Sequence, residues 1–598
     1  MAENRSTIPA GFDKKTWDHK WGFADTQFIV HNDGAVELTG ERYDLSGYRM
    51  YDFLPYVESV LGVQLDLNDR LEEVGEKPVS APNLNEAFCK AVESHFGDDQ
   101  YTTDSRERLL HSHGQTTADE VYRVLYSRLA RFADMVFYCE SEEDAQAIIR
   151  LAKEHDVCLI PYGGGTSVSC ALKLPEAEQR MIVSVDMRRM NKIDWIDEEN
   201  LRACVQAGII GAALEEQLAE KGFTSGHEPD SVELSTLGGW IATNASGMKK
   251  NRYGNIEQVV ENITMATPEG TLEQIAALPR GSIGMQPQSL LFGNEGNIGL
   301  ITKAIIKIHK TPEVTEYGSL VFPSFEDGAN FLQRLAHTGF IPASIRLVDN
   351  VQFRFGLALK GRSTGLSSIL EKIKKLYVIR VRGFEPEKMV VATIVMEGSQ
   401  EEVSYQKTNL YRLAKGFHGL PAGADAGRRG YMLTYAIAYI RDFLSSYHVI
   451  GETFETSVPW SQIRPVCAAV EKKATEQHQK LGLPGKCYVS YRITQVYHTG
   501  VCIYFMYGIY AKGVKDPEDV FGKIEHSLRA VIIENGGSIS HHHGVGKLRK
   551  DFMKDTLSVD TISFLRKLKN TVDPQNVFGA RNNVFFEESD SVSAEGSE

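Results

Sequence analysis

Directly behind a predicted strand the chain reads Pro161-Tyr162-Gly163-Gly164-Gly165-Thr166-Ser167, and we call residues 163–167 the glycine loop. Three successive glycines leave no Cβ atom that would keep a pyrophosphate away from the backbone amides. The hydroxyl groups of Thr166 and Ser167 can donate further hydrogen bonds. The loop is neither a Walker loop nor a GxGxxG fingerprint, and glycine-rich turns are common. Taken alone, it is a weak indication of a nucleotide site.

Short strands and amphipathic helices alternate around this loop. We predict strands over 134–139, 157–161, 181–185 and 201–205, and helices over 141–155 and 211–221. In the first helix Ala145, Ile148 and Ala152 share one face. Ser141 followed by Asp144 is a capping-box spacing, which marks where that helix begins. The alternation predicts an α+β nucleotide-binding fold rather than a regular doubly wound one.

Small and hydroxyl-bearing residues recur further along the chain. They form four clusters: DSVELSTLGGW at 230–240, TNASG at 243–247, YGN at 253–255 and GNEGNIGLI at 293–301. Isolated structural turns explain this recurrence less well than an extended ligand that contacts many backbone amides.

Near the carboxyl end lies Ser540-His541-His542-His543-Gly544-Val545-Gly546-Lys547, which we call the histidine loop. Three adjacent imidazoles can take or give protons near neutral pH, and Lys547 adds a charge suited to phosphate. A polar surface loop is the ordinary alternative. We expect no metal, because consecutive side chains rarely face one ion and the chain has neither CxxC nor HExxH.

Composition narrows the possible partners and compartments. The net charge of −14 opposes nucleic acid as a partner, because phosphate binding needs a basic face. Eight cysteines lie scattered without metal or redox spacing, which suits a reducing compartment. No run approaches the roughly 18 apolar residues of a membrane span. The first residues lack the apolar core of a secretory signal, and the final Gly-Ser-Glu is not a peroxisomal import address.

The order of these motifs resembles the vanillyl-alcohol oxidase superfamily of FAD proteins. Within it, four stretches resemble the alkyldihydroxyacetonephosphate synthase family: GHEPDS at 226–231, SGMKKN at 246–251, RGYMLTYAIAYIRD at 429–442 and SHHHGVGKLR at 540–549. The resemblance covers roughly residues 100 to 583. Many members tether FAD through a histidine in or near the glycine loop. This loop offers Thr166 and Ser167 instead, so we expect non-covalent FAD.

The resemblance implies an α+β fold in which a PCMH-type FAD-binding domain is covered by an α+β cap domain, with helical terminal segments. We predict a mainly helical region 1–120, the FAD-binding domain 121–310, the cap 311–545 with the histidine loop, a returning C-terminal segment 546–586 and a disordered tail 587–598.

Motifs and resemblance together predict the residues that contact FAD. The predicted set is Pro161, Gly163, Gly164, Gly165, Thr166, Ser167, His227, Asp230, Ser231, Ser235, Thr236, Gly238, Thr243, Asn244, Ala245, Ser246, Glu295, Gly296, Asn297, Ile298, Gly299 and Ile301.

The family exchanges the acyl chain of acyl-dihydroxyacetone phosphate for a fatty alcohol, without net redox change and through a covalent flavin–substrate adduct. By position, Tyr504 matches its acid/base tyrosine, although a tyrosine in a core strand is the ordinary alternative. A free phenol has a pKa of about 10, so the base role needs the flavin or a cation to lower that value. His541, His542 and His543 match the family's histidine run, which relays protons or binds phosphate.

Three cations are predicted to bind the substrate. Arg441 matches a substrate-binding arginine whose fork suits a phosphate dianion, although an arginine on a helix face is the ordinary alternative. Arg346 resembles a further arginine that is important for activity, and Lys547 belongs to the histidine loop.

Residues 360–388 predict a basic amphipathic helix, with Ile369, Ile373 and Leu376 on one face. Its cations are Lys372, Lys374, Lys375, Arg380 and Arg382. Such a helix fits docking on an anionic membrane that supplies lipid substrates, whereas a solvated helix packed on one side is the alternative. The resemblance also implies a homodimer in the peroxisome, peripheral on the lumenal membrane face.

Two other functions stay open at this point. The first is an FAD-dependent dehydrogenase of a 2-hydroxy acid such as D-lactate, although such relatives tend to carry Gly-Glu-His-Gly-Ile-Gly where this chain has His-His-His-Gly-Val-Gly. The second is a non-catalytic protein that binds flavin or lipid.

Overall fold

The computed structural model describes residues 7–9, 14–17, 19–74, 79–361 and 376–586. Within these residues the strands form a seven-stranded, a five-stranded and a four-stranded sheet and two two-stranded sheets. Residues from all three larger sheets line one internal cavity. No helix in this part of the chain is long and apolar enough to cross a membrane.

The N-terminal region packs against later parts of the chain. Its elements are β1 (Phe28–Val30), β2 (Val36–Leu38), α1 (Phe53–Leu61), α2 (Glu86–His95), β3 (Tyr101–Thr102), α3 (Ser105–Leu110) and α4 (Ala118–Tyr126). The rings of Phe28 and Phe53 lie 5.6 and 6.1 Å from that of Phe443. This aromatic cluster fixes α1 beside the cavity. The predicted boundary at residue 120 stays a prediction.

The next region contains two sheets with a helix between them. Its elements are β4 (Met135–Tyr138), α5 (Glu142–Glu154), β5 (Cys158–Tyr162), β6 (Ile182–Asp186), β7 (Ile193–Asp197), β8 (Arg202–Gln206), α6 (Gly211–Ala219), β9 (Phe223–Thr224), α7 (Leu237–Thr243), α8 (Lys250–Tyr253), α9 (Ile256–Val259), β10 (Val260–Thr267), β11 (Gly270–Leu272) and β12 (Leu300–Lys307). One sheet has the order β3-β4-β6-β5 with β4, β6 and β5 parallel, and the other is antiparallel with the order β11-β10-β12-β8-β7.

Helix α5 connects the parallel strands β4 and β5 and buries its apolar face in one core cluster with both sheets. Its start is the predicted one, because the Ser141 hydroxyl accepts a hydrogen bond from the Asp144 amide at 3.0 Å. Strand β5 ends at Tyr162, so the glycine loop begins at the carboxyl end of a parallel strand.

The third region is built on the seven-stranded antiparallel sheet, with the order β17-β14-β16-β15-β19-β20-β18. Its elements, preceded by β13 (His309–Lys310), are β14 (Val314–Phe322), α10 (Phe325–Ala336), β15 (Ser344–Val348), α11 (Asn350–Ala358), β16 (Val390–Gly398), α12 (Gln400–Lys415), β17 (Leu420–Pro421), α13 (Ala424–Met432), α14 (Ile437–Ser445), β18 (Val449–Pro459), α15 (Ile463–Lys480), β19 (Tyr488–Val496), β20 (Gly500–Tyr510) and α16 (Pro517–Glu534). Single 3-10 turns cover Pro287–Leu290, Leu433–Ala436, Trp460–Gln462, Lys550–Phe552 and Asn583–Phe585, and a π-turn covers Tyr377–Val381.

Helices α10, α12, α15 and α16 share a core cluster with this sheet. Helices α13 and α14 belong instead to the cluster that α1 and α7 share. In the register of the sheet, Tyr504 on β20 lies directly between Glu455 on β18 and Arg492 on β19. A carboxylate, a phenol and a guanidinium are thereby placed side by side.

The C-terminal segment returns to the second region after α17 (Met553–Thr556) and α18 (Val559–Val572). The Leu159 amide donates to the Val577 carbonyl at 2.8 Å, and the Asn582 amide donates to Asn297 Oδ1 at 3.0 Å. The predicted α+β fold class is correct, whereas the predicted domain boundaries stay predictions. The tail 587–598, predicted to be disordered, lies outside the described residues.

Candidate active site

A cavity of about 360 Å³ lies where the three larger sheets meet. Its wall combines the polar glycine loop, Tyr504 and His542 with the apolar Val57, Leu61 and Phe355. Cavities of this size with few polar groups are typical of small-molecule sites. The mixed lining suits a ligand set that combines a charged nucleotide with hydrocarbon.

The glycine loop is glycine-rich because it packs against the segment 234–236. A Cβ atom on Gly164 would lie 2.0 Å from the Leu234 carbonyl oxygen, and one on Gly163 would lie 2.5 Å from Thr236 Oγ1. Gly165 has a φ of +70°, which other residues rarely adopt. Access for a ligand is therefore only one reason for glycine at these positions. Close packing against the protein itself is a second reason.

The backbone of the glycine loop is nevertheless free for a ligand. The N–H groups of residues 163–167 donate no hydrogen bond to any other residue in the described part of the chain. Five successive donors in a cavity wall need acceptors, and the oxygens of a pyrophosphate supply them. The residues therefore fit the pyrophosphate of FAD.

Most of the predicted cofactor residues line the cavity. They are Pro161, Gly163, Gly164, Gly165, Thr166, Ser167, Asp230, Ser231, Ser235, Thr236, Gly238, Thr243, Ala245, Ser246, Glu295, Gly296, Gly299 and Ile301.

Four predicted cofactor residues are not part of this wall. His227 is fully buried against Trp240, at 4.9 Å between ring centroids. Asn244 ends α7 in a left-handed conformation. Asn297 accepts a hydrogen bond from the C-terminal segment, and Ile298 lies in the core. These four residues belong to the predicted small-residue clusters or lie next to them, but they pack behind the cavity wall and do not line the cavity.

The histidine loop is held by a carboxylate that the sequence argument missed. Glu455 on β18 accepts hydrogen bonds from the backbone N–H groups of His541, His542 and His543 at 2.5, 3.3 and 3.0 Å. It also accepts from the Ser540 hydroxyl at 2.6 Å. These four hydrogen-bond donors stabilise the charged form of the buried Glu455 carboxylate.

A second carboxylate holds the other half of the same loop. Glu295, predicted to contact FAD, accepts from the amides of Val545 and Gly546 at 2.6 and 3.0 Å. A Cβ atom on Gly544 would lie 2.4 Å from Glu295 Oε1, and Gly544 has a φ of +79°. Gly544 of the histidine loop therefore makes room for a protein carboxylate.

The three imidazoles have different neighbours. His543 Nε2 lies 2.9 Å from the Tyr504 hydroxyl, and His543 Nδ1 lies 3.8 Å from Glu455 Oε1. His541 Nε2 lies 2.5 Å from the hydroxyl of Tyr497, which the sequence argument did not identify. His542 lines the cavity, and its Nδ1 lies 2.9 Å from that of His541.

All three imidazoles are neutral near pH 7. Burial lowers the pKa of His541 to about 3, and it also lowers the pKa of His542 and of His543, the latter well below its ordinary value. A neutral imidazole has one nitrogen that accepts a proton. The Tyr504–His543–Glu455 chain can therefore take a proton from the phenol and hold it beside a carboxylate.

Arg492 is a cation in the cavity wall that the sequence argument also missed. Its guanidinium lies 4.2 Å from the centre of the Tyr504 ring. Burial and the nearby Asp230 raise the pKa of the Tyr504 phenol, whereas Arg492 lowers it. Arg492 donates no hydrogen bond to a side chain or carbonyl among the described residues. It thus supplies the cation that a tyrosine base needs, with donors left for an anionic ligand.

Arg441 and Arg346 are largely engaged by the protein. Arg441 lines the cavity, but its N–H groups donate to Asp442 and to the carbonyls of residues 115 and 116. Since a guanidinium has five donors, one N–H on Nη1 stays available. Arg346 donates to Thr434 and to Asp230 at 2.7 and 3.0 Å, just behind the cavity wall.

Lys547 is not among the residues that line the cavity. Its ammonium donates to Asn582 Oδ1 at 2.8 Å and to the Ala171 carbonyl at 3.3 Å. Burial lowers its pKa to about 8. The structure therefore uses this lysine to join the histidine loop to the C-terminal segment, and it does not bring it to a substrate position.

Comparisons with known proteins agree with this geometry. The family model "FAD binding domain" matches residues 133–276, and "FAD linked oxidases, C-terminal domain" matches residues 311–582. The chain is 41% identical over 563 residues to "Alkyldihydroxyacetonephosphate synthase" of Caenorhabditis elegans, covering 94% of each chain. It is 31% identical to the protein of that name from Dictyostelium discoideum, covering 94% of this chain and 92% of the relative.

Solved structures show the same fold. A crystal structure of "alkyldihydroxyacetonephosphate synthase" superimposes with a TM-score of 0.81 at 26% identity, covering 95% of this chain and 98% of that chain. Similarity to "D-lactate dehydrogenase [cytochrome], mitochondrial" of Kluyveromyces lactis is more distant, at 24% identity over 74% of this chain and 72% of the relative.

Proposed function

Since the chain belongs to the alkyldihydroxyacetonephosphate synthase family, we propose that it converts acyl-dihydroxyacetone phosphate and a fatty alcohol into alkyl-dihydroxyacetone phosphate and a fatty acid. The chain is an FAD-dependent enzyme, and its exchange reaction involves no net oxidation. The observation that carries the proposal is the Tyr504–His543–Glu455 chain, whose first two residues line the cavity.

FAD is held by the amides and hydroxyls of the glycine loop and, as proposed, without a covalent bond to the protein. When bound, it supplies an electron-rich ring nitrogen that can act as a nucleophile toward carbon 1 of the substrate. The protein must position that carbon, remove a proton from it and assist departure of the carboxylate.

Tyr504 is the base that removes the proton from carbon 1. Its hydroxyl lies 2.9 Å from His543 Nε2, so the phenol passes its own proton to a neutral imidazole. Arg492 stabilises the phenolate from 4.2 Å above the ring, and Glu455 stabilises the imidazolium. A proton that has exchanged with solvent returns to carbon 1 when the alcohol has taken the place of the carboxylate.

Arg492 and the remaining Nη1 donor of Arg441 bind the phosphate of the substrate. Both side chains line the cavity, and together they supply two positive charges for a dianion. Arg346 fixes Asp230 through a 3.0 Å ion pair and so acts by positioning.

The apolar side chains of the cavity wall contact the hydrocarbon chains. Helix α1 contributes Val57 and Leu61, α11 contributes Phe355, and α14 contributes Ile437 and Leu444. Each methylene removed from water there contributes about 0.8 kcal/mol to binding. Long-chain substrates are therefore favoured over short ones.

A two-substrate assay tests the function. Purified holoprotein is incubated with palmitoyl-dihydroxyacetone phosphate and hexadecanol, and palmitate and ether product are quantified. We expect equal amounts of both, with no reduction of the flavin by D-lactate. Flavin reduction by D-lactate without ether formation would mean that the protein is a 2-hydroxy acid dehydrogenase.

Docking on a membrane surface is a second part of the proposal. Leu376, Tyr377 and Val381 expose 59%, 48% and 67% of their surface and are close in sequence to Arg380 and Arg382. Exposed apolar side chains next to cations suit an anionic bilayer. The remaining predicted cations Lys372, Lys374 and Lys375, with Ile369 and Ile373, lie outside the described residues. Replacing all five cations by glutamine should weaken sedimentation with anionic liposomes, and unchanged sedimentation refutes the docking.

The family resemblance also supports a homodimer located in the peroxisome. Light scattering of the purified holoprotein tests the first, with twice the chain mass expected. Microscopy of the tagged full-length chain tests the second, with overlap with a peroxisomal marker expected.

A further inference from the structure

We propose that Glu455, Cys502, His541 and His542 form a binding site for Zn²⁺ and that an ion held there blocks the reaction. Four candidate ligand atoms of these side chains lie within 4.8 Å of one another. Consecutive histidines are expected not to face one ion, so no metal was predicted from the sequence. The structure removes that objection, since His541 and His542 turn their Nδ1 atoms toward each other at 2.9 Å.

The donor set has the composition of a tetrahedral zinc site. Zn²⁺ binds thiolate, imidazole and carboxylate at about 2.0–2.3 Å, which separates neighbouring ligands by about 3.3–3.8 Å. The fully buried Cys502 lies two residues before Tyr504 on β20, so both side chains are on the same face of the sheet. Small side-chain rotations bring the four atoms to bonding distance, because they already lie close together.

The surrounding groups already fix two of these ligands. The Tyr497 hydroxyl contacts His541 Nε2 at 2.5 Å, which leaves Nδ1 to the metal when Nε2 carries the proton. The Glu455 carboxylate is anchored by the backbone of the histidine loop. Metal sites depend on such outer contacts to orient the ligands.

The charge of the ligands and the route from the cavity also favour Zn²⁺ at this site. One carboxylate and one thiolate neutralise a divalent cation, and the Cys502 proton leaves to solvent as the ion binds. A soft sulfur donor excludes Mg²⁺ and Ca²⁺, which prefer oxygen ligands. His542 belongs to the cavity wall, so the cavity is the route of entry.

An ion at this position captures His542 and Glu455, which the proposed function needs in the cavity and beside His543. This inhibitory part rests on the proposed function, whereas binding of the ion does not.

Cobalt spectroscopy tests the binding without any assay of ether synthesis. Holoprotein is treated with EDTA, freed of chelator and titrated with Co²⁺ at wavelengths beyond the flavin bands. We expect visible absorption that saturates at one ion per chain and is displaced by Zn²⁺. Cys502→Ser should weaken binding more than about 10-fold, and Tyr497→Phe about 10-fold. Cys89→Ser, on α2 and away from the cavity, is the matched control and should bind like wild type. FAD content shows that each variant is folded.

Absence of saturable absorption in the wild type overturns the site, as does full binding by Cys502→Ser. Tyr497→Phe keeps the test decisive if Cys502→Ser does not fold. Inhibition is then measured as the ratio of ether synthesis with and without Zn²⁺ for each variant. We expect a lower ratio in wild type than in Cys502→Ser, restored by EDTA. If ether synthesis is absent but Co²⁺ binds, the proposed function fails and the metal site stands; the reverse result removes the metal site alone.

Discussion

The glycine loop and the histidine loop are both short and glycine-containing, yet they use their backbones in opposite ways. The N–H groups of residues 163–167 have no acceptor among the residues described here. In the histidine loop, five N–H groups donate to Glu455 or Glu295: those of His541, His542, His543, Val545 and Gly546.

This difference assigns cofactor binding to the glycine loop and proton transfer to the histidine loop. Unpaired amides form an anion site that tolerates any side chain small enough to leave them open. A loop whose amides are saturated by protein carboxylates presents its side chains in fixed positions instead. The cavity thus has one wall that binds the cofactor through backbone atoms and another that moves protons through imidazoles.

Removing the Tyr504 phenol, which contacts His543 of the histidine loop, should lower kcat the most. Tyr504→Phe deletes the group that takes the proton from carbon 1, so kcat should fall about 10²- to 10⁴-fold. FAD content should stay at the wild-type level, because the glycine loop is untouched. Quantitation of ether product and bound flavin checks both. Equal turnover by the variant contradicts the assignment.

Disturbing the carboxylate that holds the histidine loop should come next. Glu455→Gln leaves one acceptor oxygen for three amides and a hydroxyl, and we expect kcat to fall about 100-fold, since charged hydrogen bonds contribute about 1.5–3 kcal/mol each. Glu471→Gln, at an exposed position on α15, is the control and should retain full activity. Retention of activity by Glu455→Gln would show that the loop keeps its shape without this anion.

Adding one methyl group to the glycine loop should affect binding rather than chemistry. The Gly164→Ala Cβ meets the Leu234 carbonyl at 2.0 Å, so the loop must shift. We expect FAD to bind about 10- to 100-fold more weakly, which corresponds to about 1–3 kcal/mol of strain. Fluorescence titration of apoprotein with FAD measures it. Gly522→Ala, on α16 with open space around its Cβ, serves as the control. Unchanged affinity at position 164 would refute the packing argument.

Substitution of Arg492 should lower kcat less than the changes to Tyr504 and Glu455. Arg492→Gln removes the cation above the Tyr504 ring, and kcat should fall about 10-fold as the pKa of the phenol rises further. Arg492→Lys should recover part of the loss, because it restores the charge without the fork. The basic limb of the rate–pH profile distinguishes this from simple loss of phosphate binding, which would raise KM alone.

A shift to mildly acidic pH should change kcat/KM the least. His543 must be neutral to accept the proton of Tyr504, and burial lowers its pKa well below the ordinary 6.5. A group with a lowered pKa stays neutral until the pH falls below that value, so kcat/KM should be nearly constant between pH 7.5 and about 6.5. Half-loss of activity within this window would mean that the imidazole is protonated near its ordinary pKa.

The sequence predicted the loops better than their partners. The glycine loop, the start of α5 at Ser141 and the histidine loop are local patterns, so adjacent residues were enough to identify them. Glu455 lies 86 residues before His541, and only the pairing of β18 with β20 brings it under the loop. Arg492 reaches Tyr504 through the register of β19 in the same way. The available signal was a charged residue inside an apolar strand pattern, as in TFETS and SYRIT.

Exchange of hydrogen at carbon 1 shows whether Tyr504 removes a proton from the substrate. Holoprotein converts palmitoyl-dihydroxyacetone phosphate and hexadecanol in D₂O, and mass spectrometry of the ether product counts deuterium at carbon 1. We expect one deuterium per product molecule, because Tyr504 removes a proton there and a solvent-exchanged one returns. Ether product without deuterium at that carbon would contradict it.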